Sequence, residues 1–177
     1  LRDYLQEMKL WSPAKAVEDY ISDKEKLSDF VPPLAGKLAL TGELKPKNFT
    51  LLMFAKNPLD FFQSAYTVFS VYKGKDRSEA RAQRHHITGT IVQQTKKAID
   101  FLSTESFMFF DKNSNIPNQS KYPIRALQEA VVNALVHRDY ESDQPTRITV
   151  FSDRIEIISP GELPRAISRE KFSAGRA

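Results

Sequence analysis

Residues 123–137 read Pro123-Ile-Arg-Ala-Leu-Gln-Glu129-Ala-Val-Val-Asn133-Ala-Leu-Val-His137, and their period decides how the second half of the chain folds. Pro123 suits the first helical position, where its missing N–H leaves no bond unmade. At about 3.6 residues per turn, Ile124, Leu127, Val131, Ala134 and Leu135 share one apolar face. Val132 and Val136 widen that face on one flank, and Ala126 and Ala130 on the other. The spacing predicts a helix over 123–137 that is apolar almost all the way round. One narrow polar stripe remains: Glu129, Asn133 and His137, each four residues from the last. On spacing alone, a solvated face explains such a stripe as well as a site does. The apolar flanks argue for a stripe away from open surface, where a carboxylate or amide must find a partner, a metal or a ligand. The residue types also suit one chemistry. Asn offers a neutral oxygen to a hard cation such as magnesium, Glu can orient or deprotonate a water, and His can bond phosphate or sugar oxygens or satisfy a neighbour.

Downstream of this helix, residues 146–152 and 154–158 read as two strands, and Pro160-Gly161 is turn chemistry after the second. Upstream, residues 111–121, with Asn113, Asn115, Pro117 and Asn118, form a loop, and 107–110 a short strand. Residues 91–102 make an amphipathic helix through Ile91, Thr95, Ala98, Ile99 and Leu102, preceded by a short strand at 87–90. The run Ala65-Tyr-Thr-Val-Phe-Ser-Val-Tyr72 is β-branched and aromatic, and reads as a buried strand. Residues 73–83 are polar, a loop or exposed helical turn. Residues 46–55 look helical, with Phe49, Leu52 and Met53 inward, and 38–44 extended or turning. Pro32-Pro33 separates these from one or two helices in residues 1–34. The expected fold class is α/β (α+β), with mixed sheets and packed helices. The expected division is a helical segment at 1–34, an α/β linking region at 35–121 and a further domain at 122–177.

Composition bounds the function. The 177 residues, 41% hydrophobic with 12 Phe, can bury a sizeable core. The absence of Cys removes disulfides, thiolate zinc sites and cysteine nucleophiles, and suits a reducing, cytoplasmic setting. No apolar run approaches the roughly 18 residues of a membrane span, and the charged start Leu1-Arg-Asp-Tyr4 is not a signal peptide. The chain does not begin with Met, so a cleavage or expression boundary is expected at its first residue. A net charge of +4 permits contact with nucleic acid or nucleotides without requiring it.

The stretch Glu129-Ala-Val-Val-Asn133-Ala-Leu-Val-His137-Arg-Asp-Tyr140 resembles the N-box helix of the GHKL ATPases, the superfamily of gyrase, the heat-shock chaperone, histidine kinases and MutL. More closely it resembles the ATP-binding domain of RecG-related transcriptional regulators, where an Ala-Leu-Val-His-Arg-Asp-Tyr run is characteristic. Those proteins usually carry an AlbA-like domain upstream, also found in Schlafen proteins, and often a winged helix downstream. The likeness extends through Ile148-Thr-Val-Phe151 and Asp153-Arg-Ile-Glu-Ile-Ile-Ser-Pro-Gly-Glu-Leu-Pro164, and more weakly back to Leu51–Pro58 and Tyr72-Lys-Gly74. The resemblance implies a magnesium-coordinating role for Asn133 and a water-activating, catalytic role for Glu129. It implies nucleotide contacts from Asn133, His137, Arg138, Asp139, Ser159 and Gly161. For Arg138 and Asp139, a structural ion pair or a helix C-terminal charge is an equal reading. Ser159 stands where the hydrolysing members have the aspartate that reads the adenine amino group. The family's lid and glycine-rich, phosphate-closing turn are expected beyond Ala177, so this segment alone is expected to bind ATP weakly and to be inactive.

Other constellations carry less. Neither G-x-x-x-x-G-K-[ST] nor G-x-G-x-x-G occurs, and no serine sits in a recognisable nucleophile elbow. Lys73, Lys75, Arg77, Arg81 and Arg84 lead into His85-His86, but Asp76 and Glu79 interrupt them, and a solvated loop is the expected reading. Adjacent histidines in a strand point to opposite faces and do not share a metal. The leading expectation is thus an ATP- and Mg²⁺-dependent regulatory portion of a bacterial transcriptional regulator, a weak ATPase at most in the intact protein. DNA would be contacted through other domains, with no membrane association, and a homodimer is compatible. The alternative is a degenerate GHKL-like scaffold that binds no nucleotide and mediates dimerisation or DNA-linked contacts.

Overall fold

The computed structural model describes residues 33–78, 83–106 and 122–162, with residues 5, 6, 9, 12–14, 19 and 20 near the start. The expected helices of residues 1–34, the strand at 107–110, the loop at 111–121 and the tail after Glu162 lie wholly or mostly outside these. The chain divides into two compact units, Leu1–Phe61 and Phe62–Ala177. Both α and β structure are present in a mixed arrangement, as the periodicities predict.

In the first unit, strands β1 (Ala35–Lys37) and β2 (Leu44–Pro46) pair antiparallel. Gly42 turns the hairpin at φ 69°, a left-handed conformation that glycine takes without strain. Helix α1 (Asn48–Phe54) follows and is tied back by Thr50, whose hydroxyl donates to the Leu34 carbonyl at 2.6 Å. Its inward residues are Thr50 and Leu52, while Phe49 and Met53 are only half-buried.

The second unit holds the candidate site. Strands β3 (Thr67–Val71), β4 (Gln83–Ile87), β5 (Thr146–Val150) and β6 (Ile155–Ile158) form one sheet in the order β4-β3-β5-β6. β3 and β5 run parallel, and the outer pairs are antiparallel. Helices α2 (Ile91–Ser106) and α3 (Ile124–Val136) pack on one face. Alternation along the strands puts Phe69, Ile87 and Ile148 on that face. They meet Ala98 and Leu102 of α2 and Leu127, Val131 and Leu135 of α3 in one core. Phe101 stacks on Phe69 with centroids 5.2 Å apart. Buried Gln94 is fully engaged: its amide donates to the carbonyls of Ala65 and Gly89, and its oxygen accepts from Thr67. That satisfies a polar group whose burial without partners would cost stability.

The expected pairing of 146–152 with 154–158 is present, antiparallel and in the sheet that α3 covers. Two expectations shift. The strand expected at 87–90 lies instead at Gln83–Ile87, because Gly89, at φ 107°, and Thr90 form the entry to α2. Thr90 and Gln93 bond reciprocally there, backbone N–H to side-chain oxygen in each direction, as a helix N-terminal box. The sequence-drawn division at 121/122 also runs through the second unit, since β3 and β5 are sheet neighbours. Among the described residues, no helix is long and apolar enough to cross a membrane.

Candidate functional site

Helix α3 presents two unlike sides. Leu127, Val131 and Leu135 are 7%, 0% and 1% exposed and face the core. The opposite side carries Glu129, Asn133 and His137, and all three are exposed. This corrects the expectation that the stripe sits away from open surface. Its flanks are exposed too: Val132 at 40%, Val136 at 54%, and both Ala126 and Ala130. The physical reason is the two-layer build, in which the sheet and α2 cover only one side of α3. Ile124, expected on the buried face, is likewise exposed in the first turn. Among the described residues, the side chains of Glu129, Asn133 and His137 make no hydrogen bond or ion pair. Their polar atoms are available to a ligand.

The C-terminal end of α3 meets the end of β6. His137 closes the helix, its N–H donating to the Asn133 carbonyl at 3.0 Å. Ser159 donates its hydroxyl to the Ala134 carbonyl at 2.6 Å. The N–H of Asp139 donates to the Pro160 carbonyl at 2.8 Å. Gly161 follows at φ 141°, and a Cβ built there would stand 3.4 Å from the Asp139 nitrogen. Here the backbone conformation favours a glycine, while a Cβ would meet only ordinary contact. The structure therefore gathers His137, Asp139, Ser159 and Gly161 at one corner, with Asn133 and Glu129 one and two turns back along α3. Because Ser159 gives its proton to Ala134, its oxygen keeps lone pairs that can accept from an amino group.

Arg138 behaves differently from its neighbours. It is 5% exposed and turned into the unit. One guanidinium nitrogen donates to Ser64 Oγ and to the Gln144 carbonyl, both at 2.8 Å, and the other to the Tyr66 carbonyl at 3.3 Å. Its charge also lies 4.7 Å from the centre of the Tyr140 ring. Burial lowers the Arg138 pKa, and nearby Tyr140, Asp139 and Tyr66 oppose that shift. With its fork spent on these partners, Arg138 ties the loop before β5 to the entry of β3. These are hydrogen bonds to carbonyls and a hydroxyl, not an ion pair. Tyr140 donates to the Leu135 carbonyl at 2.7 Å, and burial pushes its hydroxyl up to about 12 against the pull of Arg138. Asp139 accepts from the Glu141 N–H at 2.8 Å, a local turn bond. Ser64 and Gln144 were missed in the sequence because they are polar loop residues distant from Arg138 along the chain or lacking any motif.

His85 and His86 point to opposite faces, as the strand period requires: His85 stacks on Phe101 and His86 on Tyr66. An open groove of about 620 Å³ lies between β4 and α2, lined in part by Arg84, His85, Lys97, Asp100 and Phe101. None of the residues singled out on α3 lines it. Among the described residues, no three His, Asp or Glu side chains cluster as a metal site made by protein alone.

No family model matches the chain, and no curated protein does. Among solved structures, the fold is similar to that of the DIP2311 protein from Corynebacterium diphtheriae, with a TM-score of 0.54 and 19% identity. The match covers 80% of this chain and 23% of that one, so the chain spans about a quarter of the length of the protein it resembles. At this identity the likeness concerns the fold alone.

Proposed function

We propose that the outward side of α3 is the magnesium-nucleotide face of an ATP-binding module, and that the chain is a regulatory portion of a transcriptional regulator working in the cytoplasm. The observation that carries the reading is the uncovered stripe of Glu129, Asn133 and His137, unpaired and bordered by exposed Val132 and Val136. A merely solvated face would carry charge in those flanking positions rather than bare valines. The Asn133 amide oxygen suits magnesium, with phosphate oxygens and water completing an octahedron. Glu129, one turn back, is placed to accept a proton from water, and Ser159 and Gly161 adjoin the same end of the helix. His137 offers a ring nitrogen to phosphate or sugar oxygens.

The affinity of this chain for Mg-ATP should be low, because among the described residues nothing stands over the stripe to close on phosphates. Titration calorimetry should give no isotherm at micromolar strength, about −8 kcal/mol. The test of the site is a split between two substitutions, followed by nuclear magnetic resonance at millimolar nucleotide. Asn133→Ala should abolish the magnesium dependence of binding. Glu129→Gln should keep binding and remove any hydrolysis, since an amide cannot take the proton of an attacking water. Equal magnesium-dependent affinity in wild type and Asn133→Ala would remove the case for a nucleotide site. It would leave the scaffold reading, in which the exposed valines dock a second protein surface.

A further inference from the structure

We infer that the row from His86 to Ile158, on the sheet face opposite α2 and α3, is a platform for single-stranded nucleic acid, separate from the α3 face. The register puts His86 beside Val68, Val68 beside Arg147, and Arg147 beside Ile158, one row across all four strands. Side chains alternate along strands, so this row points away from the face that carries Phe69, Ile87 and Ile148. Arg84, paired with Ser70, lies on the same outward face two residues from His86. Tyr66 stacks on His86 with centroids 5.5 Å apart and planes 21° from parallel.

The exposure of this row is uneven in an informative way. His86, Arg84 and Arg147 are exposed, and so is Ile158 at 41%. Val68 between them is half-buried and supplies an apolar floor. Among the described residues neither Arg84 nor Arg147 has an ion-pair or hydrogen-bond partner. The acid on the same face, Glu156, is already held by Arg154 at 2.8 Å and Arg77 at 3.7 Å. The platform therefore combines a stacked aromatic pair with two unneutralised guanidiniums, one on the same strand and one two strands away. That is the chemistry of an unpaired base lying on a ring face while its flanking phosphates meet cations. A duplex keeps its base faces stacked inside and cannot use the rings. The edge groove, into whose lining Arg84 and His86 also enter, carries Lys97 together with Asp100.

The experiment is fluorescence anisotropy of the 177-residue chain with a labelled oligothymidylate of about 12 nucleotides at low salt, beside a duplex of equal length and a mononucleotide competitor. Binding of the single strand is expected. His86→Ala should weaken it about tenfold, through loss of one stacking ring. Arg84→Gln with Arg147→Gln should lower the magnitude of the log–log salt slope by about 1.4, two phosphate contacts' worth. Asn133→Ala should leave it unchanged, which separates this face from the α3 proposal. Both arginines are exposed and unpaired, so the double variant should keep the wild-type melting curve. Photocrosslinking of a 5-iodouracil oligomer to the wild-type chain gives a readout that no variant can disturb, with adducts expected at Tyr66 or His86. Absence of single-strand binding, equal affinity for duplex, displacement by mononucleotide at the oligomer's own concentration, or crosslinks confined to other residues would each overturn the proposal.

Discussion

Arg138 and Tyr140 show how a single position can carry a family motif and still serve the fold. Replacing Arg138 by Ala leaves the part-buried carbonyls of Tyr66 and Gln144 without this donor and empties a buried site, while the Ser64 hydroxyl keeps its bond to the Ser142 carbonyl; the expected cost is about 2 kcal/mol. Arg138→Lys should recover little of it, because one ammonium cannot reproduce a planar fork. Urea denaturation of the three proteins checks both statements, and an unchanged midpoint in Arg138→Ala would contradict them. Tyr140 gives a pH signature. Its folded pKa, about 12, lies above the ordinary value of 10.0, so the folded state holds this proton more tightly than the unfolded one. Stability from Tyr140 is therefore complete below pH 10 and is lost as pH rises through the window to about 12. A spectrophotometric titration should show a tyrosinate step near pH 12 that Tyr140→Phe removes. Gly161 belongs here too. Gly161→Ala should cost about 1–2 kcal/mol through backbone strain at φ 141°.

At the level of elements, what the sequence revealed followed from which signals are local. The helix α3 was legible from Pro123 and the Leu127, Val131, Leu135 period, and its observed span, Ile124–Val136, falls within one residue of the reading. β5 and β6 were legible from Ile148, Val150, Ile155 and Ile157, whose alternation a half-buried sheet enforces. β4 was not, because Gln83-Arg-His-His-Ile87 has one apolar residue and its strand state is imposed by pairing with β3. α2 runs to Ser106, past the last strong apolar position at Leu102, since intrahelical bonds continue where periodicity falls silent. The exposure of Glu129 and Asn133 was also hidden. A helix with apolar residues on every side reads as buried all round, and only the layer count shows that one side is exposed among the described residues. The core prediction at this scale is Leu135→Ala. Leu135 is 1% exposed, and its truncation should cost about 2–5 kcal/mol, read as a lower melting temperature.

For the whole molecule, three surfaces of the second unit differ in their chemistry. The helix-covered face is core, the outer side of α3 is the proposed nucleotide face, and the exposed row of His86, Arg147 and Ile158 on the opposite sheet face is the proposed single-strand platform. Duplex DNA fits none of them well, since the chain's charge of +4 is diluted by 22 acids against 26 cations. Gel shifts with duplex at near-physiological salt should therefore show little complex, and sequence-specific binding that survives there would place DNA reading on this chain after all. The central claim concerns α3, and it is tested most directly by mapping amide chemical shifts while millimolar Mg-ATP is added to the 177-residue chain. The account predicts magnesium-dependent shifts centred on Glu129, Asn133 and His137 and continuing to Ser159 and Gly161, with Asn133→Ala erasing them. Shifts that avoid α3, or an unperturbed spectrum at saturating nucleotide, would contradict it.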